Sequence, residues 1–221
     1  MGYRLDNKKI ELNKKNLVKI MSDSTGDIYR YKNVALKIFN EDKDNPMDFE
    51  TADYLTNIST SRILLPNKLL FYNNTFKGYQ FKLVNNKSNK QLIRLPKNEL
   101  IGNIALIEND IRNLSNKSIL LDGLNLNNCV FNGDLYFINP VDYKKLDLLS
   151  SSELEIVNRY QFHLLLTSLI VSEMRKNNIG SKLESEIREL FNIKDNIEAT
   201  SSFLANILLD NNTIKQFIKK M

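Results

Sequence analysis

The sequence predicts an α+β fold, with strands gathered toward the N-terminus and helices toward the C-terminus. Three observations carry that prediction. Residues 8–84 break into short β-favouring runs separated by Asn-, Asp- and Gly-bearing turns. From 98 to 115, Leu100, Ile104, Ile107, Ile111 and Leu114 recur at helical spacing. A long apolar stretch then follows Ser150, beginning with a Ser-x-x-Glu capping signal. Strands followed by helices, without regular alternation, are the pattern of α+β proteins.

Taken in order, residues 8–12 and 17–21 read as short strands around Asn13-Lys14-Lys15-Asn16. Ser22 to Asp27 form a turn into a third strand, 28–31, and Lys32-Asn33 connect tightly to a fourth, 34–39. A helix starts after Asn45-Pro46 and covers 47–55. Residues 69–72 and 78–84 make a hairpin joined through Asn73-Asn74. The most linker-like stretch is 85–90, which divides the chain into a unit 1–85 and a unit 86–221. Within the second unit, 119–143 reads as a hairpin turning on Asn132-Gly133-Asp134, with a polar loop before it and a polar cluster after it. The helix capped by Ser150 and Glu153 carries Leu154, Val157, Phe162, Leu165, Leu166, Leu169 and Ile170 and is predicted to be buried. Ser181 and Glu184 suggest a further capping box, and 199–209 and 212–220 the last helices.

Composition excludes several classes of function. The 221 residues can bury a sizeable core, and 42% hydrophobic with 26% charged residues is ordinary for a globular chain. The net charge of +5 comes from lysines dispersed among asparagines, with no basic helix, which argues against a nucleic-acid partner. One Cys and one His disfavour a disulfide and a structural zinc site. Residues 1–20 are polar and Lys-rich, against a signal peptide, and the run 162–171 is too short to cross a bilayer. A cytoplasmic location is the expectation.

Two places suggest chemistry. Lys37 interrupts the apolar run 34–39, so its ammonium needs either a solvent-facing side or a partner. The loops flanking the 119–143 hairpin bring Asp122, Asn127, Asn128, Asn139 and Asp142 together, a set suited to metal and phosphate but also to capping strand ends. His163 sits in an apolar run and reads as a core histidine.

These residues resemble the protein-kinase-like family in a small bacterial form, over roughly residues 15 to 175. Val34-Ala35-Leu36-Lys37 is similar to the family's Val-Ala-Ile-Lys strand, and Asp122 to Asn127 has the spacing of its Asp-x-x-x-x-Asn catalytic loop. Asn139 falls where the metal-binding Asp of Asp-Phe-Gly is expected. The resemblance implies a two-lobed fold, with an antiparallel N-lobe at 1–85 and a reduced helical C-lobe at 86–221. It implies ATP and Mg²⁺ as cofactors. Lys37 would contact the phosphates and pair with a helix glutamate, Glu50, with Asp48 or Asp53 as substitutes; Gly26 would lie over the phosphates. Asp122 would be the catalytic carboxylate, and Asn127 or Asn128, Asn139 and Asp142 the metal site.

Departures from the family pattern are equally visible. Leu120-Leu121 replace the His-Arg before the catalytic Asp, Asn139 replaces an Asp, and Gly26 is the lone glycine of the first turn. An amide oxygen ligates Mg²⁺ without adding negative charge, so metal affinity should fall unless Asp142 supplies it. The expected function is therefore a pseudokinase or strongly impaired kinase acting as a nucleotide-binding or regulatory module. A minimal active kinase, on a protein or a small molecule, and an interaction scaffold without nucleotide are the alternatives. A protein partner is left open.

Overall fold

A computed structural model describes residues 3–12, 16–40, 46–85, 94–176 and 211–216. The chain is α+β, and its main feature is one seven-stranded antiparallel sheet. The strands are β1 (Tyr3–Leu5), β2 (Lys8–Ile10), β3 (Leu17–Asp23), β4 (Gly26–Tyr31), β5 (Val34–Phe39), β6 (Lys68–Tyr72) and β7 (Thr75–Lys82). Their spatial order is β2-β1-β6-β7-β5-β4-β3. β5 thus lies between β4 and β7, in the interior of the sheet, and β3 forms one edge.

The residues of β5 alternate between two apolar clusters. Leu36 is buried with Leu5, Tyr31 and Leu70 in a smaller cluster, against which Tyr3, Ile10 and Ile38 also pack. Ala35 and Phe39 belong to the main core with Ile28, Tyr79 and Phe81. Because side chains alternate along a strand, Lys37 shares the face of Ala35 and Phe39. Both faces are covered at this point, so the lysine is not an outward residue on a half-exposed strand. Its relative exposure is 0%.

β1 escaped the reading of the sequence. Three residues with one buried leucine carry too little pattern, and the strand exists because β6 offers a free edge, pairing Tyr3 with Tyr72 and Leu5 with Leu70. Asp6, at φ 48, turns the chain back into β2 and clips it to β6, its carboxylate accepting Leu69 N–H at 2.9 Å.

Three helices complete the described architecture. α1 (Phe49–Thr56) is capped by Asp48, which accepts Thr51 N–H, and it buries Thr51, Ala52 and Leu55. α2 (Lys97–Ser115) buries Leu100, Ile107, Ile111 and Leu114 of the expected stripe, with Ile104 half-buried, together with the polar Asn103 and Asp110. α3 (Ser151–Lys176) begins at the reciprocal cap expected of Ser150 and Glu153, with Ser150 N–H donating to Glu153 Oε2 at 2.8 Å and Glu153 N–H to Ser150 Oγ at 3.3 Å. Its buried stripe differs in part from the prediction. Leu154, Asn158, Phe162 and Leu166 face inward at i, i+4 spacing, while Val157 is 37% exposed.

Between α2 and α3 lie four short strands in two pairs. β8 (Ile119–Leu120) pairs with β11 (Lys144–Lys145), and β9 (Cys129–Phe131) with β10 (Leu135–Phe137). The Asn132-Gly133-Asp134 turn forms the second pair, as its sequence demands, with Gly133 at φ +84. A parallel bridge from Ile63 to Phe137 ties this region to the segment after α1.

The boundary stretch 86–90 lies outside the described residues, as do Ser181, Glu184 and the helix expected at 199–209. Of the helix expected at 212–220, the described part is one helical turn whose Ile214 enters the main core. Among the described residues, no helix is long and apolar enough to cross a membrane.

Candidate functional site

The site is built on the buried ammonium of Lys37. An unpaired charge in the interior is costly, so the partner decides what the group can do. That partner is Asp23, the last residue of β3, with Lys37 Nζ 2.8 Å from both carboxylate oxygens. The contact spans two strand positions, from β3 across β4 to β5. Gly26 of β4 pairs with Asp23 on one side and Phe39 on the other, at a φ of +149 that favours glycine. A Cβ on Gly26 would stand 2.1 Å from Ile38 O, so the glycine is also required by close backbone approach.

Asp23 accepts more than the lysine. Thr25 N–H reaches Oδ1 at 2.8 Å and Gly26 N–H at 3.1 Å, and the Thr25 hydroxyl donates to the same oxygen. Asn139 Nδ2 donates to Oδ2 at 2.8 Å. Asn139, at φ 65, lies two residues past β10 and in turn accepts Tyr79 Oη–H at 3.3 Å. One carboxylate therefore joins the β3–β4 turn, the central strand β5 and the segment after the β9–β10 hairpin. Burial raises the Asp23 carboxyl, but the donors from Lys37 and Thr25 outweigh it and hold the group below its ordinary value. Burial lowers Lys37, and the Asp23 carboxylate offsets part of that. Burial pushes the Tyr79 hydroxyl well up, so it stays a donor.

A second network lies at the loop before the hairpin. Asp122 Oδ2 takes Lys144 Nζ at 2.9 Å, and both side chains are largely exposed. Asn125 organises the loop: its Oδ1 accepts Asn127 N–H at 2.9 Å and Asn128 N–H at 3.2 Å, and its Nδ2 donates to Gly123 O at 2.8 Å. Asn127 is exposed and Asn128 half-buried. Asn128 O accepts Ile138 N–H at 2.9 Å, which stitches Asn128 to the residue before Asn139.

Asp142 links the two networks. A Cβ on Gly123 would meet its Oδ2 at 2.5 Å, so the carboxylate lies against the Asp122–Gly123 backbone. Its carboxyl is raised by partial burial and then by the Asp122 charge, and it also feels Asp23 and Lys37. Asp122, Asp142, Asp23, Lys37 and Lys144 thus share one local field. Among the described residues there is no cluster of three His, Cys, Asp or Glu able to hold a metal by itself. A Mg²⁺ held by one carboxylate, an amide and phosphate oxygens needs no such cluster.

The helix carboxylate expected to pair with Lys37 does not do so. Glu50 is exposed in the first turn of α1, because that helix turns Thr51, Ala52 and Leu55 inward. Asp48 is committed to the cap and Asp53 is exposed. Gly26 is at the expected turn, but its N–H serves Asp23. Lys37 and Asn139 are brought together through a shared partner, and Asp122, Asn128 and Asp142 lie in adjoining loops; Asn127 stands apart on the surface.

Three buried polar residues that hold this arrangement were not singled out from the sequence. Asn158 of α3 accepts Leu121 N–H at 2.8 Å and donates to Ile119 O and Ser115 Oγ, fixing the strand end from which Asp122 projects. Asp110 of α2 accepts Ser61, Arg62 and Ile63 N–H, anchoring the segment after α1. Asn103 Oδ1 accepts Leu135 N–H at 2.8 Å, positioning the hairpin. Each was detectable as a polar residue inside a helical apolar stripe. His163 is a core histidine, with Nε2 at 2.9 Å from Glu108 Oε1, but its buried Nδ1 has no hydrogen-bond partner among the described residues, so it is satisfied on one side only.

Compared with known proteins, the chain matches no protein-family model and no curated protein.

Proposed function

We propose that the chain is a protein-kinase-like protein that binds a nucleotide at Lys37 and acts as a regulatory module with impaired phosphotransfer. The observation that carries this reading is the meeting of Lys37 and Asn139, 102 positions apart in sequence, on one oxygen, Oδ2, of the Asp23 carboxylate. In a kinase-like site the strand lysine and the residue after the hairpin must face the same phosphate group. Two side chains that already converge on one anion satisfy that demand.

Other features support it. The strands that the resemblance assigns to an N-lobe form a continuous run, β3-β4-β5-β7-β6, with the lysine strand in the middle. The Asp122 loop, the β9–β10 hairpin and the Asn139–Asp142 segment follow in the order the resemblance requires. If nucleotide binds, Lys37 would meet its phosphates, and Asn139, Asn128 and Asp142 would hold Mg²⁺. Asn128 is the better candidate than Asn127, because its carbonyl is bonded to the residue preceding Asn139. Mg²⁺ would neutralise phosphate charge; the chain's own groups would orient the phosphates and exclude water from Lys37. Impairment follows from the amide at 139 and from the missing helix carboxylate beside Lys37.

The test is thermal unfolding with ATP, with and without Mg²⁺ or Mn²⁺. At about a hundred times its dissociation constant a native-state ligand adds roughly 2.7 kcal/mol, a visible rise in melting temperature. The expected result is a shift in the wild type that disappears in Lys37→Met. No shift at millimolar ATP with either metal would sink the reading. Transfer of labelled phosphate to any acceptor would favour the active-kinase alternative, with Asp142 supplying the missing carboxylate.

A further inference from the structure

The environment of Asp23 has the composition of an anion-binding cradle, and the protein fills it with its own side chain. Two backbone N–H groups, a threonine hydroxyl, the Asn139 amide and the Lys37 ammonium all donate to that one carboxylate. Successive N–H groups at a turn, joined by a lysine, are also what holds a phosphate oxygen. We infer that Asp23 is an internal plug, occupying the place of a nucleotide phosphate at Lys37, so that nucleotide enters only when the Asp23–Lys37 contact opens. This inference rests on the nucleotide-binding reading and adds its regulation.

The two members of the pair differ in freedom. Lys37 is fully buried on an interior strand, hydrogen-bonded on both sides through β4 and β7. Asp23 ends the edge strand β3, next to the Ser24-Thr25 turn, and its side chain is 28% exposed. Withdrawing Asp23 disturbs a hairpin tip; withdrawing Lys37 would break the sheet. Electrostatics make withdrawal necessary. A phosphate placed on Lys37 beside a retained Asp23 carboxylate sets like charges a few ångströms apart in a poorly solvated site. Glu50 is exposed on α1 and does not take over the lysine, while the charges of Asp27 and Asp142 also act on Lys37 and can ease the withdrawal of Asp23.

The experiment measures ATP affinity by calorimetry on the full chain, without metal and with Mg²⁺, in wild type, Asp23→Asn and Lys37→Met. Asp23→Asn keeps an acceptor for the lysine and for Thr25 and Gly26, and so preserves the turn. Metal-free ATP is expected to bind Asp23→Asn at least about tenfold more tightly than wild type, since one tenfold step corresponds to only about 1.4 kcal/mol of relieved repulsion. Lys37→Met should abolish binding. Equal affinity in wild type and Asp23→Asn overturns the plug while leaving the nucleotide site standing. Weaker binding in Asp23→Asn overturns it too, and makes Asp23 part of the site. Absence of binding in every form defeats both proposals. Should Asp23→Asn not fold, carboxyl ¹³C NMR on the wild type decides: Mg²⁺–ATP should move the Asp23 carboxylate resonance as it leaves its donors, and an unmoved resonance with nucleotide bound overturns the plug.

Discussion

The Lys37 network and the Asp122 loop contain the same kinds of groups and behave as opposites. Each pairs a lysine with an aspartate, at 2.8 Å in one and 2.9 Å in the other. In the first, the ammonium is wholly buried and its aspartate has further donors from Thr25, Gly26 and Asn139. In the second, both side chains are open to water, with exposures of 60% and 45%. Distance alone therefore says little about what a pair does. Burial turns the first into a structural obligation, whereas the second can exchange partners freely.

The comparison is broken most strongly by Asp23→Ala, which leaves the Lys37 ammonium buried without its anion. A loss of about 3–5 kcal/mol is expected in denaturant unfolding, because removing one member of a buried pair strands the other. Lys37→Met added to Asp23→Ala should recover a large part of it; no recovery would mean that Asp23 acts mainly through the Thr25–Gly26 turn.

The next effect lies under the exposed loop. Asn158 gives the Asp122 strand its buried support, and Asn158→Ala leaves Leu121 N–H and Ile119 O unsatisfied. A destabilisation of about 2 kcal/mol is expected. Faster amide exchange at Leu121 would show that the loop's order comes from α3; unchanged exchange there would contradict this.

Acid titration separates the two regions by sign. Asp142 has a raised carboxyl, so the fold is relatively favoured by its protonation, and lowering pH from neutral toward 3.8 should slightly help stability through this group. Asp23 is held below 3.8, so its contribution persists down to that value and is lost as pH falls through its folded value. Stepped-pH urea melts of Asp23→Asn should lack the loss below 3.8, and those of Asp142→Asn the gain above it.

The smallest change is expected from Asp122→Ala. An exposed ion pair contributes within about 0.5 kcal/mol, so the melting temperature should hardly move. A loss several times larger would mean that the loop is as constrained as the lysine site and that the two regions do not differ.

Much of this architecture was legible in the chain. The alternating runs gave six of the seven sheet strands, the apolar repeat at 100–114 gave α2, and Ser150 with Glu153 gave the start of α3. Asn132-Gly133 located the hairpin turn. Lys37 announced itself as the charge that did not belong. Its partner did not, because Asp23 reads locally as a turn residue preceding Thr25-Gly26, and its reach across β4 depends on strand pairing. Glu50 was the wrong choice for a related reason: helical spacing gives a residue's position around the helix, but packing against the sheet decides which side faces in.

The sequence by itself determined where most strands, helices and turns fall, β1 excepted, since periodicity, capping and turn chemistry act between residues a few positions apart. It also marked Lys37, Asn139 and Asp142 as residues that a purely apolar hairpin and strand would not contain. Tertiary structure alone decided that Lys37 is fully buried, that Asp23 answers its charge, and that Asn139 shares that carboxylate. Pairing a buried charge is a demand of the folded interior. Which group meets it depends on which side chains the sheet and hairpin bring within 3 Å.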